Sequence, residues 1–309
     1  MAGDRRAGGA LGGTSAGDAL GGMGAGGAQP SSPPGALGGT GAAGALPGRA
    51  AGAPGRPWSR YDDARTVIIR DILRTVISAL VAETGRPRLD ILDAGGGTGG
   101  FAVPLASLGH NVTVIDPSPD SLASAGRRAA EMNVSLRMVQ GDVADLAMVA
   151  GEASADLVLC HSVLEYVDSP ADAMASIAQV LRPAGAVSVL AASSVAAVIH
   201  RALAGRFDDA RRLLAGIGTG AGQPAGASAE RGRAQPRRFT LAAVVGLIEG
   251  AGLRAGSAHG VRVFADLVPG MFADTDPSAA DALLALEQAA SAHPAFHDIA
   301  TQFHIVGYR

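Results

Sequence analysis

The chain has 309 residues, 48% of them hydrophobic and 4% aromatic, and a formal net charge of −3. That charge excludes a general attraction to polyanions, and the single cysteine, Cys160, excludes a disulfide framework or a cysteine-based zinc site. No apolar run reaches the roughly 18–20 residues of a membrane span, so the expectation is a protein of the reducing cytoplasm with no membrane partner and no metal.

Residues 1–56 are almost entirely Gly, Ala, Pro, Ser and Thr, without an aromatic residue. Such a segment buries too little apolar surface to offset its ordering entropy, and a disordered tail is expected. Arg5 and Arg6 are followed by no apolar core of a secretory signal. Residues 57–309 are then expected to form one domain. Every basic residue is arginine, and the stretch from Arg201 to Arg238 holds eight of them against three acids.

In chain order, Val67, Ile68, Ile69, Ile72, Val76, Ile77 and Leu80 recur at helical spacing, which predicts an amphipathic helix over Tyr61–Ala82. Short apolar strands then alternate with helices. Strands are predicted at Leu89–Leu92, Asn111–Ile115, Leu136–Val139, Asp156–Cys160 and Ala186–Ala191. Helices are predicted at Phe101–Leu108, Ser118–Met132 and Ala171–Leu181, the last stopped by a turn at Arg182-Pro183-Ala184-Gly185. The alternation implies a parallel sheet with both faces covered. Further on, Val195–Leu214 reads as helix with a possible break at Gly205, 216–234 as loop, and Leu241–Ala251 as helix. Val261–Leu267 and Phe303–Tyr308 read as the last two strands, with a helix Ala279–Ala292 between them. The fold class is therefore α/β, a Rossmann-like sheet of about seven strands, with an insertion at about 195–238.

Ligands of such sheets bind beyond the carboxyl ends of the strands. There the sequence places Asp93, the glycines Gly95, Gly96, Gly97 and Gly99, then Asp116, Gln140-Gly141-Asp142, and His161. Glycines let a ligand approach the backbone, and the following helix offers free N–H groups. Nicotinamide and flavin domains also use glycine-rich turns. The spacing here, D-x-G-x-G-x-G with a second acid at the next strand end, suits a carboxylate bridging the two hydroxyls of a ribose.

This pattern resembles the first two motifs of class I S-adenosylmethionine methyltransferases. The longer segments LDAGGGTG, LVLCHSVLEYV, VLRPAG, ALAGRFDDA and GVRVFADL resemble the tRNA 5-carboxymethoxyuridine methyltransferase family from about Arg65 to Tyr308. The resemblance implies S-adenosyl-L-methionine as cofactor, held by Arg65, Gly95, Gly96, Asp116, Gln140, Gly141 and His161, with Asp93 and Gly97 beside the same ligand. It implies methyl transfer to a carboxylate of a modified wobble uridine, with tRNA as partner. A carboxylate acceptor calls for an arginine fork, for which Arg201, Arg237, Arg238 and Arg262 are the candidates. Arg262, expected on a strand, is taken with His161 as the catalytic pair. Arg231, Arg233, Arg237 and Arg238 are expected to form an RNA-facing lip. A small-molecule O-methyltransferase and a non-catalytic S-adenosylmethionine-binding module remain alternatives.

Overall fold

A computed structural model describes residues 64–217, 236–268 and 277–309. The expected tail, most of the 216–234 loop, and with it Arg231 and Arg233, lie outside the described residues. Helix α1 (Ala64–Thr84) leads into β1 (Asp90–Ala94), α2 (Ala102–Ser107), β2 (Asn111–Asp116), α3 (Pro119–Glu131) and β3 (Arg137–Gln140). Then come α4 (Leu146–Ala150), β4 (Ala155–His161), α5 (Pro170–Val180) and β5 (Leu181–Ala192). The remainder is α6 (Ser194–Leu203), α7 (Phe207–Gly216), α8 (Leu241–Gly250), β6 (Arg254–Val261), α9 (Pro277–Ser291) and β7 (Gln302–Tyr308).

The seven strands form one sheet in the order β3-β2-β1-β4-β5-β7-β6. Strands β1 to β5 pair in parallel, and β7 runs antiparallel to both β5 and β6. The architecture is the α/β sheet that the sequence predicts. Central β4 is buried from Ala155 to Cys160 because helices cover both its faces. One apolar layer packs Met174, Ile177, Val244, Ile248 and Phe303. The other packs Ile69, Leu73 and Leu80 of α1 against Leu157, Leu190 and Val306. Helix starts follow the local chemistry: the Ser118, Ser169, Ser193 and Thr240 side chains each accept a backbone N–H of the helix that follows.

Two of three sequence expectations need correction, those for the turn before β5 and for the sixth strand. The Arg182–Gly185 turn is part of β5, with irregular pairing to β4 between Ala155 and Leu157 and Ala184 at φ +64°. Val195–Leu214 is two helices, and the break falls at Gly205 (φ +71°) as the sequence suggested. The sixth strand is Arg254–Val261 and ends where it was expected to begin. Residues after Val261 instead turn around Glu287 of α9. This fully buried carboxylate accepts the backbone N–H groups of Val263 (2.9 Å), Phe264 (2.8 Å) and Ala265 (2.6 Å).

Far from the carboxyl edge, Asp156 is buried and binds Arg86 (3.1 Å), Arg182 (3.0 Å) and the Asp90 backbone N–H (2.8 Å). This network fastens the amino ends of β1, β4 and β5. A cleft of about 370 Å³ between α1 and α2, lined by Arg70, Arg74 and His110, lies at this same end and holds none of the residues singled out above. No helix among the described residues is long and apolar enough to cross a membrane, and no group of three or more His, Cys, Asp or Glu among them is placed to hold a metal.

Candidate active site

The parallel strands end together, and their last residues gather the predicted ligands on one edge. Antiparallel β7 enters at that edge with Gln302, and β6 leaves there at Val261, its register partner.

The turn after β1 is shaped by close approach. Gly95 has φ +69°, and a Cβ there would sit 2.4 Å from Val163. A Cβ on Gly96 would lie 2.5 Å from the carboxylate of Asp93. The chain can therefore pass between β1 and β4 only as glycine. The Gly97 N–H donates to Asp116 Oδ2 (2.9 Å), and the Ser118 N–H donates to Asp116 Oδ1 (2.9 Å). Asp116 thus orders the turn and starts α3, while each carboxylate oxygen keeps a lone pair for a further donor. Asp93, 4% exposed, has its pKa raised to about 7 by burial and then by the charge of Asp116. Gln140 ends β3 and donates from Nε2 to the Pro117 carbonyl (3.2 Å), and the Gly141 N–H reaches the Asp116 carbonyl (3.3 Å). These contacts fold the β3 turn back onto the end of β2. Asp142 caps the short turn after it.

At the end of β4, His161 lies edge-on to Phe101, with ring centroids 5.0 Å apart. Its Nε2 is 2.7 Å from Ser188 Oγ, which is 2.6 Å from Nε2 of His304. Burial, then the Arg65 charge, lower the pKa of His161 to about 3, and burial lowers that of His304 well below the ordinary value. Both rings are neutral at physiological pH. Arg65, at the start of α1, donates from Nε to Gln302 Oε1 (3.0 Å), and Gln302 Nε2 donates to Ser162 Oγ (3.1 Å). The arginine is thereby tied to the same strand end.

Glu165 lies just beyond. Its Oε1 accepts the Ala192 N–H (2.8 Å), and its buried Oε2 has no hydrogen-bond partner among the described residues. Burial raises its pKa against the pull of Arg238 and Arg65. Arg238 feels Arg201 in turn: burial and then that like charge lower its pKa, offset by Glu165 and Tyr166. The like charge of Arg201 acts on Arg238 beside a carboxylate, an arrangement that a bound anion would favour.

The other arginines have different surroundings. Arg237 donates to the Val167 carbonyl and to that of Asp168 (3.0 Å), so its guanidinium fastens the loop after β4. Arg262 is not on a strand. It sits in the turn after β6 at φ +59° and pairs with Asp266, whose other oxygen accepts from Thr301 Oγ1 (2.6 Å). At α7, Arg206, Arg211 and Arg212 pair with Asp208 and Asp209 one turn away, so these three arginines are engaged locally. Sequence reasoning missed Glu165, Ser188, Gln302 and His304. The visible signal was a lone polar residue inside each of two apolar strands, Val187-Ser188-Val189 and Phe303-His304-Ile305.

Residues 92–189 match the family model described as a methyltransferase domain. The chain is 32% identical over 150 residues to the tRNA 5-carboxymethoxyuridine methyltransferase of Escherichia coli, covering 48% of this chain and 57% of that protein. It is 31% identical over 115 residues to a ubiquinone biosynthesis O-methyltransferase of Rickettsia akari, covering 37% and 45%. The chain thus spans about half the length of these curated relatives. A solved S-adenosylmethionine-dependent methyltransferase from Mesorhizobium loti aligns at 18% identity and a TM-score of 0.49, over 76% of this chain and 96% of that one. The glycine turn and the two strand-end acids fall within the region, residues 92–189, that matches a methyltransferase domain, for which S-adenosyl-L-methionine is the cofactor, and over about half its length the chain is similar to the tRNA 5-carboxymethoxyuridine methyltransferase family.

Proposed function

We propose that the protein transfers a methyl group from S-adenosyl-L-methionine to a carboxylate on a modified wobble uridine of tRNA. The observation that carries this reading is the charge layout of the carboxyl edge. Asp93 and Asp116 lie at its β1–β2 end, whereas Arg65 and Arg238, with Arg201 beside it, surround Glu165 at its β4 end. A cationic donor suits the acids and an anionic acceptor suits the arginines.

The bound cofactor supplies an already activated methyl group, so the protein's part is alignment and exclusion of water. In this reading Asp116 and the Gly95–Gly97 turn hold the nucleoside, Gln140 and Gly141 flank its base, and Asp93, Arg65 and His161 line the amino-acid end. Arg201 and Arg238 hold the acceptor carboxylate with one oxygen lone pair left for attack. The new C–O bond forms as the methyl–sulfur bond breaks. No proton has to be removed, because a carboxylate is already ionised at neutral pH. Arg262, held by Asp266, completes the far side of the acceptor cradle. Residues 195–238, read as an insertion in a domain spanning 57–309, supply Arg201, Arg237 and Arg238.

Two features favour tRNA. The relative from Escherichia coli is named for that substrate. Tyr166, beside Arg238, is 73% exposed and offers a ring face on which an unpaired base can stack. A second reading, a small acidic metabolite or phenol as acceptor, is favoured by the ion pairs of α7, which leave fewer arginines for phosphates, and by the ubiquinone-pathway relative. Mass spectrometry of tRNA nucleosides from cells with and without the gene separates the two. Loss of a methyl-ester nucleoside and gain of its free acid are expected, and identical nucleoside profiles would favour the small acceptor. In the purified protein, Arg201→Ala with Arg238→Ala should raise KM for tRNA and lower kcat while sparing S-adenosylhomocysteine affinity, because the acceptor carboxylate loses its two guanidinium partners.

A further inference from the structure

The sheet face covered by α1 carries an unusual row of polar groups. His161 of β4, Ser188 of β5 and His304 of β7 are joined through Nε2, Oγ and Nε2 at 2.7 and 2.6 Å. His259 of β6 extends the row, its ring centroid 6.2 Å from that of His304. Ser188 and His304 are fully buried. The Nδ1 atoms of both His161 and His304 are buried and have no hydrogen-bond partner among the described residues.

A hydroxyl has one proton, so it can donate to only one of its two imidazole neighbours and must accept from the other. Two neutral rings therefore take opposite tautomers. In one arrangement His304 carries its proton on Nδ1, leaving an unsatisfied N–H in the middle of the sheet. In the other His304 donates from Nε2 to Ser188, Ser188 donates to Nε2 of His161, and the proton of His161 stands on Nδ1. Either way one N–H is left without an acceptor. An orphaned N–H costs most where nothing can reach it. Both Nδ1 atoms are buried, but His304 lies wholly inside the sheet, whereas the His161 ring is partly exposed at the strand end where a ligand binds.

We propose that Ser188 and His304 are positioning residues that fix His161 in its Nδ1–H tautomer, so that it presents a neutral hydrogen-bond donor to an oxygen of the bound S-adenosylmethionine. The low basicity of His161 agrees, since its charged ring would turn a second N–H onto Ser188 beside that of His304. The inference rests on the reading of this edge as the cofactor site. The donor supplies orientation rather than proton transfer, because methylation of a carboxylate moves no proton.

The test uses the full chain labelled with ¹⁵N in histidine, with imidazole tautomers read by long-range ¹⁵N–¹H correlation and S-adenosylhomocysteine affinity read by calorimetry. In the wild type, His161 is expected as Nδ1–H and His304 as Nε2–H. Ser188→Ala removes one oxygen and opens little space, so the fold should persist. It should shift His161 toward the Nε2–H form and weaken S-adenosylhomocysteine binding roughly five- to tenfold, the size of one neutral hydrogen bond. His304→Gln, which keeps an N–H donor, should largely restore both relative to His304→Leu. An Nε2–H tautomer of His161 in the wild type would overturn the proposal. So would a tautomer change in Ser188→Ala with unaltered affinity. A wild-type protein that binds no S-adenosylhomocysteine would instead overturn the underlying cofactor reading, with the tautomers still reporting on the relay.

Discussion

Asp93 and Asp116 carry like charges at neighbouring strand ends, and only one of them is supported by backbone donors from both sides. Asp116 takes the N–H groups of Gly97 and Ser118, whereas Asp93 is buried against Gly96 with its pKa raised to about 7. A group poised there couples ligand charge to pH. S-adenosylmethionine, a cation through its sulfonium and ammonium, favours the ionised form, so binding should release a proton near pH 7. Affinity should then fall toward tenfold per pH unit below 7 and level off above it. Calorimetry in buffers of differing ionisation enthalpy checks this, and proton uptake would contradict it. The same shift acts on stability. The folded state holds the proton between the unfolded value of 3.8 and about 7, so ionisation of Asp93 costs stability as pH rises through that window. Asp93→Asn should therefore melt higher than the wild type at pH 8 while binding cofactor less tightly. Its stability advantage should fade as pH falls from 7 toward 3.8. At this scale the sequence was most legible where partners are close in the chain, as in the glycine turn with its two acids. The Ser188 contacts to His161 and His304 span 27 and 116 positions and arise only from strand register.

Among elements, the alternation of strands and helices was plain because β1, β4 and β5 are buried on both faces and read as apolar runs. The sixth strand was not. Its sequence, Arg254–Val261, is small and polar because it is an edge strand: Gly256 has no room for a side chain between Tyr308 and the Val306 carbonyl. The apolar residues that followed it looked like a strand, yet Val263 and Phe264 pack with Ala290, Phe296 and Ala300 in a small cluster of their own. Glu287 sets that turn by accepting three N–H groups at once. Glu287→Ala should leave all three donors buried and unpaired, lowering stability by about 1–3 kcal/mol for each donor that water cannot reach. Glu287→Gln, which keeps one acceptor oxygen, should cost less. Urea unfolding midpoints give both values, and a neutral Glu287→Ala would show that the turn is held by its apolar cluster alone. Because Arg262 lies in this turn, the alanine variant should also raise KM for the acceptor more than it weakens S-adenosylhomocysteine binding.

At the scale of the molecule, the parallel strands deliver their polar residues to one edge, with acids at one end and arginines at the other. In the proposed function that division of charge separates a cationic methyl donor from an anionic acceptor, and it was only partly visible in the sequence. The arginine excess between residues 201 and 238 was apparent, but three of those arginines pair with acids in α7 and Arg237 binds carbonyls, which leaves, among the described residues, Arg201 and Arg238 beside Glu165. Residues 1–56 have a composition that cannot form a core, so their removal should leave the melting temperature and methyl transfer unchanged. The central claim is that the acceptor is a carboxylate on tRNA, and the chemical stability of the product tests it most directly. The purified protein should transfer labelled methyl from S-adenosylmethionine to tRNA from cells lacking the gene, and mild alkali should release the label as methanol, as for an ester. Label that stays on the nucleoside through alkali, as an ether or N-methyl group does, or that never enters tRNA, would contradict the account.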